Sequence, residues 1–241
     1  MLTKKKVLIA IALMLPASAW ALPGHVKGHV EAGYLASSGN SRSSSLNAKA
    51  SVTYAIGKWT DSLKGSANAA SQSGNSTAER YTARGKSEYD FTKNNYVFGQ
   101  VNYLKDLFGG IRERTAETAG YGRRLLNSPV QTLDAEVGAG LRQTQEQKPS
   151  LARHNDVIGQ LAADYKYHIS KSSQIEQTLT VESGSANTFI ESETALRLAI
   201  VKNLFAKLSY TVDHNTTVAD NLDKTDTYTA ISLSYEFGKQ D

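Results

Sequence analysis

The chain has 241 residues, with 27 Lys and Arg against 23 Asp and Glu, four prolines and no cysteine. Such a composition fits one ordinary domain, and the lack of cysteine excludes disulfides, so stability must come from packing and backbone hydrogen bonds. Removing residues 1–21 takes away three Lys and no acid, lowering the formal charge from +4 to +1, which leaves no electrostatic case for binding nucleic acid.

The first element is a signal peptide. Lys4, Lys5 and Lys6 form a basic start, Val7 to Leu15 is an apolar run, and Ala19-Trp20-Ala21 is a small-x-small cleavage site. A transmembrane anchor needs about 20 apolar residues, whereas Pro16 and Ser18 close this run after nine. The expected domains are therefore a signal peptide, residues 1–21, and a mature unit, residues 22–241. The mature part contains no stretch of 18 apolar residues. If it enters a membrane, only a closed barrel can do so, because a bilayer satisfies no open sheet edge.

From residue 25 onward the organising signal is alternation, which puts every second side chain on one face of a strand. Val26, Val30, Ala32 and Tyr34 mark the first strand, residues 25–37. The second, residues 44–56, is the clearest: Leu46, Ala48, Ala50, Val52, Tyr54 and Ile56 share one face, and Ser45, Asn47, Lys49, Ser51 and Thr53 the other. Leu63, Ala67 and Ala69, then Tyr81, Ala83, Tyr89 and Phe91, then Val97, Val101 and Tyr103 mark the next three. A sixth near residues 113–126 alternates poorly. Leu133, Ala135, Val137, Ala139 and Leu141 mark the seventh, and Val157, Leu161, Ala163, Tyr165, Tyr167 and Ile169 the eighth. The last four carry Ile175, Leu179 and Val181; Ile190, Leu196, Leu198 and Ile200; Leu204, Ala206, Leu208, Tyr210 and Val212; and Ile231, Leu233, Tyr235 and Phe237. The expected fold is all-β, a transmembrane antiparallel up-and-down barrel of about 12 strands.

The connections alternate too. Longer polar loops follow odd strands: Ser38 to Ser43, Gln72 to Thr77, Phe108 to Arg112, Thr144 to His154, Ser183 to Thr188 and Asn215 to Asp223. Shorter links follow even strands, such as Gly57-Lys58-Trp59 and Asn127 to Pro129. Long loops outside and tight turns in the periplasm are the outer-membrane pattern. Tyr54, Trp59, Tyr89, Phe91, Tyr165, Tyr167, Tyr235 and Phe237 gather near the short-turn end, as an interfacial girdle does. Tyr96, Phe98 and Phe205 lie at that end on the opposite parity.

Side-chain size decides which face meets lipid. A soluble barrel needs bulky residues to fill its interior, but the apolar face here is rich in alanine, with Ala48, Ala50, Ala67, Ala69, Ala83, Ala135, Ala139 and Ala163. That suits a surface bathed in lipid and would leave a void inside a water-soluble barrel. The charged face then lines the lumen. Parity assigns it a basic sector (Lys49, Lys64, Arg80, Arg84, Lys86) and an acidic sector (Asp164, Glu176, Glu182, Glu191, Glu193). Two arrangements are open: a transverse field that orients polar solutes, or a network in which these charges pair with neighbours such as Glu88, Asp90, Lys166 and Arg197.

Catalytic chemistry has little support. His214 is the only histidine near the outer rim on the lipid-facing parity, and Ser192 is on the same face, but no elbow motif or third partner accompanies them. No zinc spacing, phosphate-cradling loop or cofactor motif occurs, so no cofactor is expected. Gly120, Gly122, Gly138 and Gly140 are expected to relieve crowding or allow curvature.

The segment Gly33-Tyr34-Leu35-Ala36-Ser37-Ser38-Gly39-Asn40-Ser41 resembles the opening signature of the YdiY-like family of salt-induced outer-membrane proteins, a family of unknown function. Gly74-Asn75-Ser76-Thr77 looks like a second copy, and Asn102-Tyr103 with Asp106 and Gly120-Tyr121-Gly122 fit it further. The resemblance implies an outer-membrane barrel linked to salt stress, with no substrate or catalytic residue to carry over. Outer-membrane barrels commonly end on an aromatic residue read by the insertion machinery, whereas Gly238, Lys239, Gln240 and Asp241 follow Phe237 here. Either Tyr235 and Phe237 serve as that signal or assembly is less efficient. The expected function is a small pore or envelope-integrity protein for ions or small polar solutes. A non-conducting interaction barrel is the alternative, and a lipid hydrolase at the outer rim a third. The expected partners are outer-membrane lipid, the barrel-assembly machinery and the solutes themselves.

Overall fold

A computed structural model describes residues 24–37, 43–73, 75–147, 151–218 and 222–238. The signal-peptide segment, the Ser38 to Ser41 half of the first signature and the tail after Gly238 lie outside the described residues. Twelve strands follow one another: β1 (His25–Ser37), β2 (Ser43–Ile56), β3 (Trp59–Gln72), β4 (Asn75–Asp90), β5 (Asn95–Asp106), β6 (Ile111–Asn127), β7 (Gln131–Glu146), β8 (Arg153–His168), β9 (Ser173–Gly184), β10 (Thr188–Val201), β11 (Leu204–Asn215) and β12 (Thr225–Gly238). Each pairs antiparallel with its sequence neighbours, and β12 returns to β1, closing the barrel.

The strands run 12 to 17 residues, whereas about 9–11 suffice to cross a bilayer. The surplus is polar and stands above the apolar belt. This explains where the expected loop Gln72 to Thr77 went: the ladder continues through Ser71↔Ser76 and Gln72↔Asn75 beyond a bulge at Ala70/Ser71, leaving only residues 73 and 74 between the strands. The sixth strand also has a physical reason for its poor alternation. Between register shifts at Ile111/Glu113 and Arg124/Leu126 its burial alternates regularly, but Glu117 and Arg123 stand on the outward face and Ala116, Gly120 and Gly122 on the inward one, so hydropathy does not follow the pleat.

The apolar face points outward. Val157 is 74% exposed, Ile231 70% and Leu161 58%, among many large apolar side chains on this face. The most deeply buried large side chains include instead Arg142, Tyr96, Ile158 and Ser234. A polar interior inside an apolar exterior is the inverse of a water-soluble barrel, so the fold is a transmembrane one. On the lipid face of β9 and β10 polar side chains satisfy one another: Gln177 Nε2 donates to Ser192 Oγ at 2.9 Å and Thr194 Oγ1 donates to Gln177. Trp59 packs on Tyr89 with ring centroids 5.0 Å apart, and Phe91 lies near Tyr121, in the girdle at the short-turn end. Tyr34, Tyr81, Tyr103 and Tyr210 are exposed nearer the other end and make a second aromatic band.

Tyr96 and Phe98 turn inward and are almost fully buried. Their rings lie over the glycines of β6 and β7: a Cβ added at Gly122 would stand 2.2 Å from the Tyr96 ring, and one at Gly120 would stand 2.9 Å from that of Phe98. These glycines make room for two rings that fill the lumen wall. The seam is the weakest ladder of the barrel among the described residues. β1 and β12 share six register pairs, from Lys27↔Gly238 to Ala32↔Leu233, against 11 in the next shortest ladders.

Candidate functional site: the charged lumen

The lumen holds a cavity of about 600 Å³, and all ten charged residues singled out from parity line it: Lys49, Lys64, Arg80, Arg84, Lys86, Asp164, Glu176, Glu182, Glu191 and Glu193. They reach it because each occupies the inward parity of a regular ladder. What they do there differs from residue to residue.

Four clusters cross between strands. Near the loop end, Arg80 of β4 reaches over the lumen to Asp213 of β11 and Glu191 of β10, at 3.2 Å from the latter, with Asp106 of β5 at 3.8 Å and the Tyr228 ring 5.5 Å away. At mid-height Lys49 of β2 bonds Glu193 of β10, which Lys207 approaches at 2.9 Å while also lying 3.2 Å from Glu31. Toward the turns, Lys86 bridges Glu88 and Glu136, and the Tyr96 hydroxyl donates to Glu136 at 2.7 Å. Arg197 similarly joins Glu176 and Glu236 and lies over Phe205 at 4.3 Å.

Of the two arrangements left open by the sequence, the geometry therefore favours pairing for most of these groups. The basic and acidic sectors meet through direct bonds across the barrel. Strand tilt decides the partners. The ladder from Lys86 runs through Gln100 and Thr118 to Gly140, yet its side chain meets Glu136, four residues nearer the turn. Tilted strands carry equal heights along the ladder, and parity alone holds no such information.

The outer half is packed tight. Arg142 is 1% exposed: it lies 3.3 Å from Asp156 and 3.9 Å from Glu182, and donates to the backbone carbonyls of Glu182 and Asn187. Asp156 also accepts from Ser185 Oγ and the Ala186 amide, at 3.0 and 3.3 Å, pinning the β9–β10 connection over the lumen. Arg114 sits over the Phe189 ring at 5.3 Å. The half toward the turns is open, with Asp164 and Lys166 39% and 47% exposed.

Arg142, Arg114, Glu31, Lys207, Glu136 and Asp213 were not among the residues singled out from the sequence. Inward parity was their available signal; Lys207, between Ala206 and Leu208, shows it plainly. Arg114 shares inward parity with Ala116 and Thr118, but the weak apolar pattern of β6 masked it. Ser192 and His214 are diagonal neighbours on β10 and β11 but bond separate partners: Ser192 engages Gln177, and His214 Nδ1 is hydrogen-bonded to Thr225 Oγ1 at 2.9 Å. Among the described residues no group of three or more His, Asp or Glu is arranged to hold a metal.

Closed strand order, outward apolar surface and charged lumen define a transmembrane barrel of porin-like fold. It is similar to the NanC porin over 86% of this chain and 98% of that one, at a TM-score of 0.54 and 11% identity. An outer-membrane channel from Pseudomonas putida F1 aligns over 91% of this chain and 97% of its own, with a TM-score of 0.49 and 12% identity. The family described as "Protein of unknown function, DUF481" matches residues 30–237. The chain is also 35% identical over 210 residues to the uncharacterized protein YdiY of Escherichia coli (strain K12), covering 87% of this chain and 82% of the relative. The chain belongs to the DUF481 family.

Proposed function

We propose that this chain is an exported outer-membrane barrel of a Gram-negative cell that passes ions or small polar solutes through a restricted pore and helps maintain the envelope under salt or osmotic stress. The observation that carries this reading is the cavity of about 600 Å³, lined by charge and enclosed by a closed membrane barrel. The basic, apolar, small-x-small start of the sequence supports export with cleavage after Ala21, and the apolar belt supports a lipid partner. Tyr235 and Phe237 on the last strand are the groups the assembly machinery would read. The stress role rests on the family resemblance. We read the barrel as non-catalytic, since the one Ser and His pair considered for lipid hydrolysis engages separate partners.

In this reading solutes enter easily from the turn end and meet their restriction at Arg80 and Arg142. Planar-bilayer recording tests it. The wild-type barrel should give small single-channel steps, and Arg80→Ala should enlarge them by removing the side chain that spans the lumen. Absence of current from both proteins at every voltage would instead support a non-conducting structural or interaction barrel, a reading that the packed outer half favours.

A further inference from the structure

Two cross-strand pairs in the lumen are built against ordinary electrostatics. Lys64 of β3 and Arg84 of β4 are direct register partners, and so are Asp134 of β7 and Asp164 of β8. All four line the same cavity. Like charges placed opposite each other on neighbouring strands destabilise the ladder, and most other lumenal charges avoid this by bonding an opposite charge. These four largely do not. Among the described residues Lys64, Arg84 and Asp134 make no ion pair; Asp134 has Arg124 as its other register partner, but Arg124 bonds Asp90, and Asp164 has only Lys166 at 3.8 Å, with both side chains exposed, an arrangement worth little.

The cationic pair is also shaped to receive a ligand. Arg84 Nε donates to Asn102 Oδ1 at 2.6 Å, which fixes the guanidinium plane of a side chain that lines the cavity. A fixed guanidinium fork matches a carboxylate. Lys64 is exposed beside it, and Asp164 and Lys166 line the same cavity. The acidic pair offers carboxylate acceptors suited to an ammonium. A cavity of about 600 Å³ lies within the ordinary size range for small-molecule sites.

We infer that the lumen contains a binding site for a small zwitterion, its carboxylate held by Lys64 and Arg84 and its ammonium by Asp134 and Asp164. A simple anion would meet the acidic wall, and a simple cation the basic one; a molecule carrying both charges relieves both like-charge pairs at once. The inference deepens the pore reading by naming the solute class.

Equilibrium binding to the full barrel in detergent, followed by calorimetry, tests the site apart from conduction. The probes are glycine, 4-aminobutanoate and 6-aminohexanoate, set against butanoate and butylammonium. At least one zwitterion should bind about tenfold more tightly than either singly charged molecule, as two charge-assisted contacts against one imply. Lys64→Gln with Arg84→Gln, and separately Asp134→Asn with Asp164→Asn, should each abolish that advantage. These changes remove repulsion, so both proteins should keep the heat-dependent gel shift of a folded barrel. Equal binding of butanoate, no binding of any probe, or an advantage that survives both double changes overturns the site. Conduction without zwitterion binding would remove this inference and leave the pore; binding without conduction would do the reverse.

Discussion

The two halves of the lumen solve the same electrostatic problem in opposite ways. Toward the loops, Arg80, Arg114, Arg142, Asp106, Asp156, Glu182 and Asp213 are all buried, and the ion pairs among them fill the space between strands. Toward the turns, Lys86 and Arg197 are also paired, but Lys64, Asp164 and Lys166 keep their contact with water and leave room for something else. Burial raises the cost of breaking an ion pair, because the group left behind has neither partner nor water. The outer half should therefore carry stability, and the inner half should be free to carry chemistry.

The sharpest way to break this contrast is at Arg142. Arg142→Ala leaves Asp156 and Glu182 without their shared cation, and should cost about 3–5 kcal/mol, read as a lower urea midpoint for unfolding from detergent or bilayer. A loss as small as that of a surface change would mean that the outer network is ornamental. Next in size is the lipid face. Val52→Arg puts a charge among exposed apolar side chains and should cost about 2–4 kcal/mol near the bilayer midplane, seen as reduced assembly. Lys49→Ala serves as its counterpart on the same strand; because Lys49 bonds Glu193, it should show a modest loss, with Lys207 still neutralising the carboxylate.

Smaller effects sharpen the picture. Gly122→Ala drives a methyl into the Tyr96 ring and should cost about 1–3 kcal/mol as overpacking, and pairing it with Tyr96→Leu should recover much of that. Lys64→Gln, in the open half, should change the unfolding midpoint by no more than about 0.5 kcal/mol. A large destabilisation there would show that the vestibule is structural after all.

Alternation made much of this legible in advance. Because side chains on a strand have a period of two, Leu46 and Val52 on one side and Lys49 on the other could be assigned to lipid and lumen from the sequence. The inverted polarity followed from the alanine-rich apolar face. Residue type hid the course of β6, since Glu117 and Arg123 face outward and Ala116, Gly120 and Gly122 inward, and the polar overhang of β3 and β4 looked like loop because nothing apolar marks a strand above the membrane. Partner choice was hidden more deeply. That Lys86 meets Glu136, or that Arg80 reaches Asp213, depends on the tilt and stagger of a closed cylinder, a property of the whole sheet that no single strand encodes.

The short β1–β12 ladder has a further consequence for how the molecule comes into being. Every other ladder joins consecutive strands through a nearby reversal and can zip locally, whereas the seam unites segments some 200 positions apart in the chain. Contacts of such separation are kinetically slow because loop entropy is lost before any bond rewards it. With six rungs among the described residues to reward closure, the ribbon should complete its cylinder in the last step of biogenesis, and an unclosed ribbon would present two bare edges to whatever chaperones it.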